Sequence, residues 1–320
     1  MIRLEKVLFM GTGEGCWFAG RGPPREDWIR VLCFSLAEYQ RDSLKVLIIP
    51  QLLLTSIEVD KLFQNCSNLK IYKGNINVLR PNSILHKVPP VRLERWFATN
   101  TRDTPALQYL LNPSKDCLRF ITFSLQPGNA PLLLDQFHNL ESLIINICTP
   151  VPYGQSQLGA IAGFLRVGSD GSQDVMDQFT KIVASVQDLP NLHLLSLLTD
   201  VNPYLVSAHL EAQLLCLPPS LVHFSLAPLS YPDLPWVYLI NGRKFNLNPN
   251  IKKISLVAGF DEEGYGVTEE EYFGMSVAQV KEEFDVEIEW IDPLKVELWV
   301  EKHFYPEGTE EEWLGSSQGN

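Results

Sequence analysis

The 320-residue chain has no apolar run long enough to cross a membrane. Its greasiest long stretch, PLLLDQFHNLESLIINI, is interrupted by Asp135, His138 and Glu141, whereas a spanning helix needs about 18 apolar residues in a row. The opening MIRLEKVLFM carries a short apolar run with Glu5 ahead of it, so a secretory leader is not expected. Cysteine is sparse and dispersed, with Cys16, Cys33, Cys66, Cys117, Cys148 and Cys216. No two have the close spacing of a zinc or redox motif. Scattered thiols in a chain of this length predict a reducing compartment, cytoplasmic or nuclear, where the Asn65-Cys66-Ser67 sequon goes unused. Runs of Lys and Arg are missing too. The 26 basic residues face 38 acidic ones, a formal charge of −12. Such a surface repels phosphate backbones, so neither nucleic acid nor membrane is expected as a partner. His86, His138, His193, His209, His223 and His303 show no metal-ligand spacing, and no metal or cofactor is expected.

What is present is a repeat. The pattern L-x-x-L-x-L occurs in SLKVLII, CLRFITF, NLESLII, NLHLLSL, SLVHFSL and NIKKISL, with weaker copies in NLKIYKG and RLERWFA. The leading apolar residues are Leu44, Leu69, Leu93, Leu118, Leu140, Leu192, Leu221 and Ile251. Successive differences are 25, 24, 25, 22, 52, 29 and 30 residues, close to the period of leucine-rich repeats. The step of 52 predicts one hidden or inserted copy between residues 150 and 190. Asn or Ser precedes the leading residue in five of the six clear copies, and Cys in the sixth. The first segment, RLEKVLF, places Leu4, Val7 and Phe9 in the same phrase.

Helical segments lie between the phrases. DVMDQFTKIVASVQDL spaces Val175, Met176, Phe179, Ile182, Val183 and Val186 at helical steps, predicting a helix over 175–187 with Ser169 in the loop before it. DTPALQYLLNP carries Leu107, Leu110 and Leu111 up to Pro113, and VSAHLEAQLLCLPP carries Leu210, Leu214 and Leu217 up to Pro218. SIEVDKLFQN opens with Ser56 as the expected N-cap. SVAQVKEEF has Ser276 and Gln279 at capping-box spacing. A 45% hydrophobic composition supplies a large core. Strand, loop, helix and loop in repetition predict an α/β leucine-rich-repeat-like solenoid, a horseshoe with a parallel concave sheet and outer helices.

Side chains alternate along a strand, so the fourth and sixth residues of each phrase point into the core and those between point away. The outward set is Phe120, Thr122, Ser142, Ile144, Leu194, Ser196, His223, Ser225, Lys253 and Ser255. This mixed polar and apolar surface is the expected protein-binding face. The expected boundaries are a repeat domain over 1–292 and an acidic cap or tail over 293–320.

These phrases, with their long irregular connectors and the closing FDVEIEWIDP strand, resemble the leucine-rich-repeat halves of fungal F-box proteins. The resemblance covers the repeat region only, roughly residues 1 to 292. No L-P-x-E-[IL] start or three-helix segment precedes the first repeat. The resemblance implies a protein–protein interaction module: the substrate-recognition part of an F-box-type ubiquitin-ligase adaptor lacking its F-box, with no catalysis by this chain.

The rival reading is an enzyme on an open α/β sheet that uses the Gly11-to-Gly15 loop for a nucleotide or phosphate. The dinucleotide fingerprint is G-x-G-x-x-G. Gly11 and Gly13 fit it, but Cys16 stands at the third glycine position. Gly20, Gly22, Pro23 and Pro24 follow, where a phosphate loop needs a helix N-terminus. VGSDGSQ lacks the G-x-S-x-G order of a nucleophile elbow. DEEGYGVTEEEY offers Asp261 and Glu263 to a calcium ion, but Tyr265 and Tyr272 occupy two ligand positions.

Overall fold

A computed structural model describes residues 5–8, 25–77, 90–98, 104–125, 130–147, 169–199, 217–227, 250–257, 276–291 and 296–305. Among the described residues ten strands form one sheet: β1 (Lys6–Leu8), β2 (Val46–Thr55), β3 (Ile71–Asn77), β4 (Arg95–Phe97), β5 (Phe120–Leu125), β6 (Ser142–Ile147), β7 (Leu194–Thr199), β8 (His223–Ala227), β9 (Lys253–Val257) and β10 (Glu287–Ile291). They lie side by side in chain order. Every neighbouring pair is parallel. Helices α1 (Arg25–Tyr39), α2 (Ser56–Asn65), α3 (Thr104–Leu111), α4 (Ser169–Val186) and α5 (Val277–Phe284) connect strands, and α6 (Val296–Phe304) follows the last. No helix among the described residues is long and apolar enough to cross a membrane.

Each repeat phrase makes one strand. In all eight phrases the strand starts two residues after the leading apolar position, as Leu44 before Val46 and Leu118 before Phe120 show. The register therefore aligns equivalent positions. Leu47 sits beside Tyr72, then Trp96, Ile121, Leu143, Leu195, Phe224, Ile254 and Ile288 in successive strands. These residues share one apolar core with the inner sides of the helices, including Phe63 of α2, Leu107 of α3 and Phe179 of α4. Phe63 packs edge-on against both Tyr72 and Trp96, a geometry that aromatic quadrupoles favour. This is the first face of the sheet.

In six of the eight phrases the polar residue ahead of the leading apolar position ties neighbouring repeats together. Asn68, Asn139, Asn191 and Asn250 donate through Nδ2 to the carbonyls of Asp42, Asp116, His138 and Pro219, one repeat back. Each of those carbonyls lies two residues before its repeat's leading apolar residue. Ser220 and Cys117 have shorter side chains and reach the leading residue's own carbonyl instead, on Leu192 and Leu93. The Asn, Ser and Cys of the motif thus satisfy turn carbonyls that the parallel ladder leaves over.

Three local expectations change. β6 pairs directly with β7, so no repeat strand stands between them in the sheet across the 52-residue step. The extra length is taken by a connector that includes the 18-residue α4. That helix begins at Ser169, earlier than its apolar period suggests, so Ser169 is helical and not a loop serine. The N-cap of α2 is Thr55 rather than Ser56. Thr55 accepts the Glu58 amide, and the Glu58 carboxylate accepts the Thr55 amide at 2.8 Å. Glu58 stands three residues after Thr55, the spacing the reciprocal bonds require. The Ser276–Gln279 capping box forms as expected. The expected helix before Pro218 lies outside the described residues.

Candidate functional site

The opposite side of the sheet, its second face, carries all ten residues of the expected contact surface. They form two rows in register. Phe120, Ser142, Leu194, His223 and Lys253 make the first row, and Thr122, Ile144, Ser196, Ser225 and Ser255 the second. Strand alternation delivers this alignment directly. The surface is not open, however. Seven of the ten are buried: Phe120, Thr122, Ile144, Leu194, Ser196, Ser225 and Ser255. Ser142, His223 and Lys253 are half-buried.

Part of the physical reason is α6, which lies on this face and packs with Phe120, Ile144 and Leu194. Trp299, Val300, Phe304 and Tyr305 join Val46, Ile48, Ile71, Phe97, Phe120, Ile144 and Leu194 in a second apolar cluster, separate from the first-face core. Residues 296–305, within the expected acidic cap or tail, return to the sheet. Residues 306–320 lie outside the described part.

Two polar clusters hold α6 at its ends. At one end Phe304 packs against Phe97 and Phe120, at 5.2 and 5.3 Å between ring centres. Arg95 of β4 donates through Nη1 to the carbonyls of His303 and Phe304, at 3.3 and 2.8 Å. The last carbonyls of a helix have no partner within it and carry its negative pole, so a guanidinium is a fitting cap. Burial lowers the Arg95 pKa, as does Arg119 nearby, with Glu141 and Glu94 opposing.

At the other end a chain of bonds runs from sheet to helix. Ser255 donates to Glu289 Oε2 at 2.5 Å, and the Trp299 indole N–H donates to the same oxygen at 3.1 Å. Lys253 pairs with that oxygen at 3.0 Å. Burial would raise the Glu289 pKa. The hydrogen bonds from Ser255, Lys253 and Trp299 outweigh burial and bring it down to about 2. His223 Nε2 lies 2.6 Å from Ser255 Oγ. The single Ser255 proton is committed to Glu289, so His223 is the donor in this contact and carries its proton on Nε2. Ser255 is thus a relay between an imidazole and a carboxylate, fully buried, and not a hydroxyl poised beside a base.

His303 of α6 stacks edge-on against His223 at 5.5 Å and against Trp299 at 4.5 Å. Burial drives His223 down to about 3, with His303 and Lys253 adding and Glu289 opposing. His303 falls to about 4, again chiefly by burial, with Glu289 opposing and Lys253 and Lys302 adding. Both imidazoles are therefore neutral where α6 meets the sheet.

The second row contains two uncompensated groups. Ser196 and Ser225 sit side by side in β7 and β8. Both are fully buried, and neither hydroxyl has a hydrogen-bond partner among the described residues. A buried hydroxyl without a partner costs about 1–3 kcal/mol.

Sequence reasoning located the sheet side of this site and missed the helix side. Arg95, Glu289, Trp299, His303 and Phe304 were not singled out. The signal was present: Val296, Trp299, Val300 and Phe304 have helical spacing, next to the acidic EGTEEEW that made the region read as a tail. The Gly11-to-Gly15 loop and the acidic stretch from Asp261 to Tyr272 lie outside the described residues. Among the described residues no cluster of three or more His, Cys, Asp or Glu is placed to hold a metal ion. Cys66 and Cys117 are free thiols, and burial pushes Cys66 up to about 11.

The chain is thus an α/β protein with a ten-stranded parallel sheet in sequence order and a helix seated on one sheet face. No family model matches it, and a search of the curated proteins found no match.

Proposed function

We propose that this chain is a protein–protein interaction module, a leucine-rich-repeat-like solenoid whose second face is the inner, ligand-bearing side of a horseshoe. The reading extends to the substrate-recognition part of an F-box-type ubiquitin-ligase adaptor, working in cytoplasm or nucleus without a cofactor and without catalysis. Support comes from one strand per repeat phrase, stacked in chain order, since such stacks build extended surfaces suited to protein partners. The observation that carries the reading is the alignment of ten mixed polar and apolar side chains into two rows on one face. That face holds polypeptide already, in the form of α6.

Photo-crosslinking tests this. A benzophenone amino acid replaces the half-buried Ser142 or Lys253, and the full-length chain is irradiated in its native cells. The expected result is a discrete adduct with another protein at these positions and none from a benzophenone on exposed Tyr39 of α1. Adducts of equal yield at all three positions, or none at Ser142 and Lys253, contradict the reading.

A further inference from the structure

We propose that the second face is a seat for an amphipathic helix of a partner protein, one with two aromatic anchors and a polar side chain between them, and that α6 is its removable occupant in cis. This rests on the protein-binding reading above and names the partner's chemistry.

Both ends of the seat recognise features that any such helix can supply. Arg95 holds main-chain carbonyls of the last helical turn, and these are present whatever the side chains are. Phe97 and Phe120 receive one aromatic ring. Glu289, fixed by Ser255 and Lys253, accepts an indole N–H or another donor about one and a half turns upstream. The middle fits α6 badly. The Ser196 and Ser225 hydroxyls have no hydrogen-bond partner among the described residues. Two half-buried imidazoles meet there edge-on, without a hydrogen bond to each other. A helix that keeps the anchors, brings an amide or hydroxyl to the two serines, and has no histidine opposite His223 removes both defects. α6 holds its place through its tether to β10, because a short link gives a weak occupant a local concentration in the millimolar range. A competitor has to exceed that advantage, and the defects of α6 are what allow it to.

The test uses the full chain with a protease site introduced between Ile291 and Val296. The probe is a fluorescent synthetic peptide of residues 293–305, followed by anisotropy at neutral pH. After cleavage the labelled peptide is expected to bind, at least about tenfold more tightly than it binds uncut chain, since the tether no longer favours the resident helix. The same peptide with Trp299→Ala and Phe304→Ala is expected not to bind. Equal binding by cut and uncut chain, or binding by the doubly substituted peptide, overturns the proposal. So does loss of the cooperative thermal transition on cleavage, which would make α6 part of the obligatory core. A stable dimer of uncut chain that exchanges α6 between copies also overturns it, in favour of a second copy as occupant. Peptide binding reports on the seat alone. Adducts at Ser142 without peptide binding sink the helix seat and leave protein binding standing. Peptide binding without adducts does the reverse.

Discussion

The two faces of the sheet are covered in different ways, although the same ten strands build both. On the first face the buried positions are apolar in every strand, and five connecting helices close over them as the chain passes from strand to strand. Each of those helices is anchored by strands before and after it. On the second face the positions alternate Phe, Ser, Leu, His and Lys with Thr, Ile and Ser. The covering element is one nine-residue helix, anchored from one described side only. Burial alone does not separate the two, because every residue of β5 is buried on both sides. What separates them is composition. The first face is lined by aliphatic and aromatic side chains, with the Trp96 indole N–H lacking a hydrogen-bond partner among the described residues, while the second face encloses the Ser196 and Ser225 hydroxyls and two neutral imidazoles. The first is a core; the second, on the reading proposed above, is a docking surface that α6 fills.

That contrast is sharpest in large-to-small substitutions. Leu143→Ala, in the middle of the first-face row, is expected to cost about 2–5 kcal/mol in urea unfolding of the whole chain. Phe304→Ala removes an equally buried ring from the second face. Its loss is limited to the free energy with which α6 docks, so global stability is expected to fall by less than in Leu143→Ala. Proteolysis within residues 296–305 should accelerate markedly in the same variant. If Phe304→Ala lowers global stability as much as Leu143→Ala does, the two faces are one core and the distinction fails.

Acid should act most strongly on the second face. His223 and His303 have values of about 3 and 4 when α6 is docked, against about 6.5 when free. Freed imidazoles bind protons that docked ones refuse, so docking is unaffected above pH 7 and weakens as pH falls from 6.5 towards 4. Glu289 works in the same direction below its ordinary range, its docked carboxylate being lost only towards about 2. By pH 5 each imidazole should weaken docking roughly thirtyfold, together on the order of a thousandfold, read as faster amide exchange in 296–305 with 142–147 unchanged. His303→Gln should flatten this response. A pH-independent exchange rate in α6 would contradict the account.

The smallest effect concerns the repeat ladder. Asn139→Ala removes the bond to the Asp116 carbonyl and is expected to cost about 1 kcal/mol in chemical denaturation. Asn139→Ser should recover part of it, because Ser220 shows that a hydroxyl reaches the nearer carbonyl of the previous repeat. No recovery would mean that the Asn acts through something other than this bond.

The strand side of the fold was legible because its signal is local. One six-residue phrase determines which side chains face inward, and parallel stacking in register then carries Phe120, Ser142, Leu194, His223 and Lys253 into a row. Even the leading Asn or Ser was visible, though not its purpose, because its acceptor lies a full repeat away. The α6 contact was not legible. Its partners, Arg95 and Phe304, are 209 residues apart, and no periodicity links positions so distant. The step of 52 misled for a related reason: a repeat can lengthen its connector without adding a strand, and counting residues does not distinguish the two.

The central claim is that α6 closes the second face, on which Ser196 is buried. Ser196→Cys in the full chain, labelled with iodoacetamide at neutral pH and located by mass spectrometry, measures this directly. The account predicts slow labelling that speeds up when Phe304→Ala is added, because release of the helix uncovers the thiol. Labelling of Cys at 196 as fast as an exposed thiol, or a rate that Phe304→Ala leaves unchanged, would contradict it.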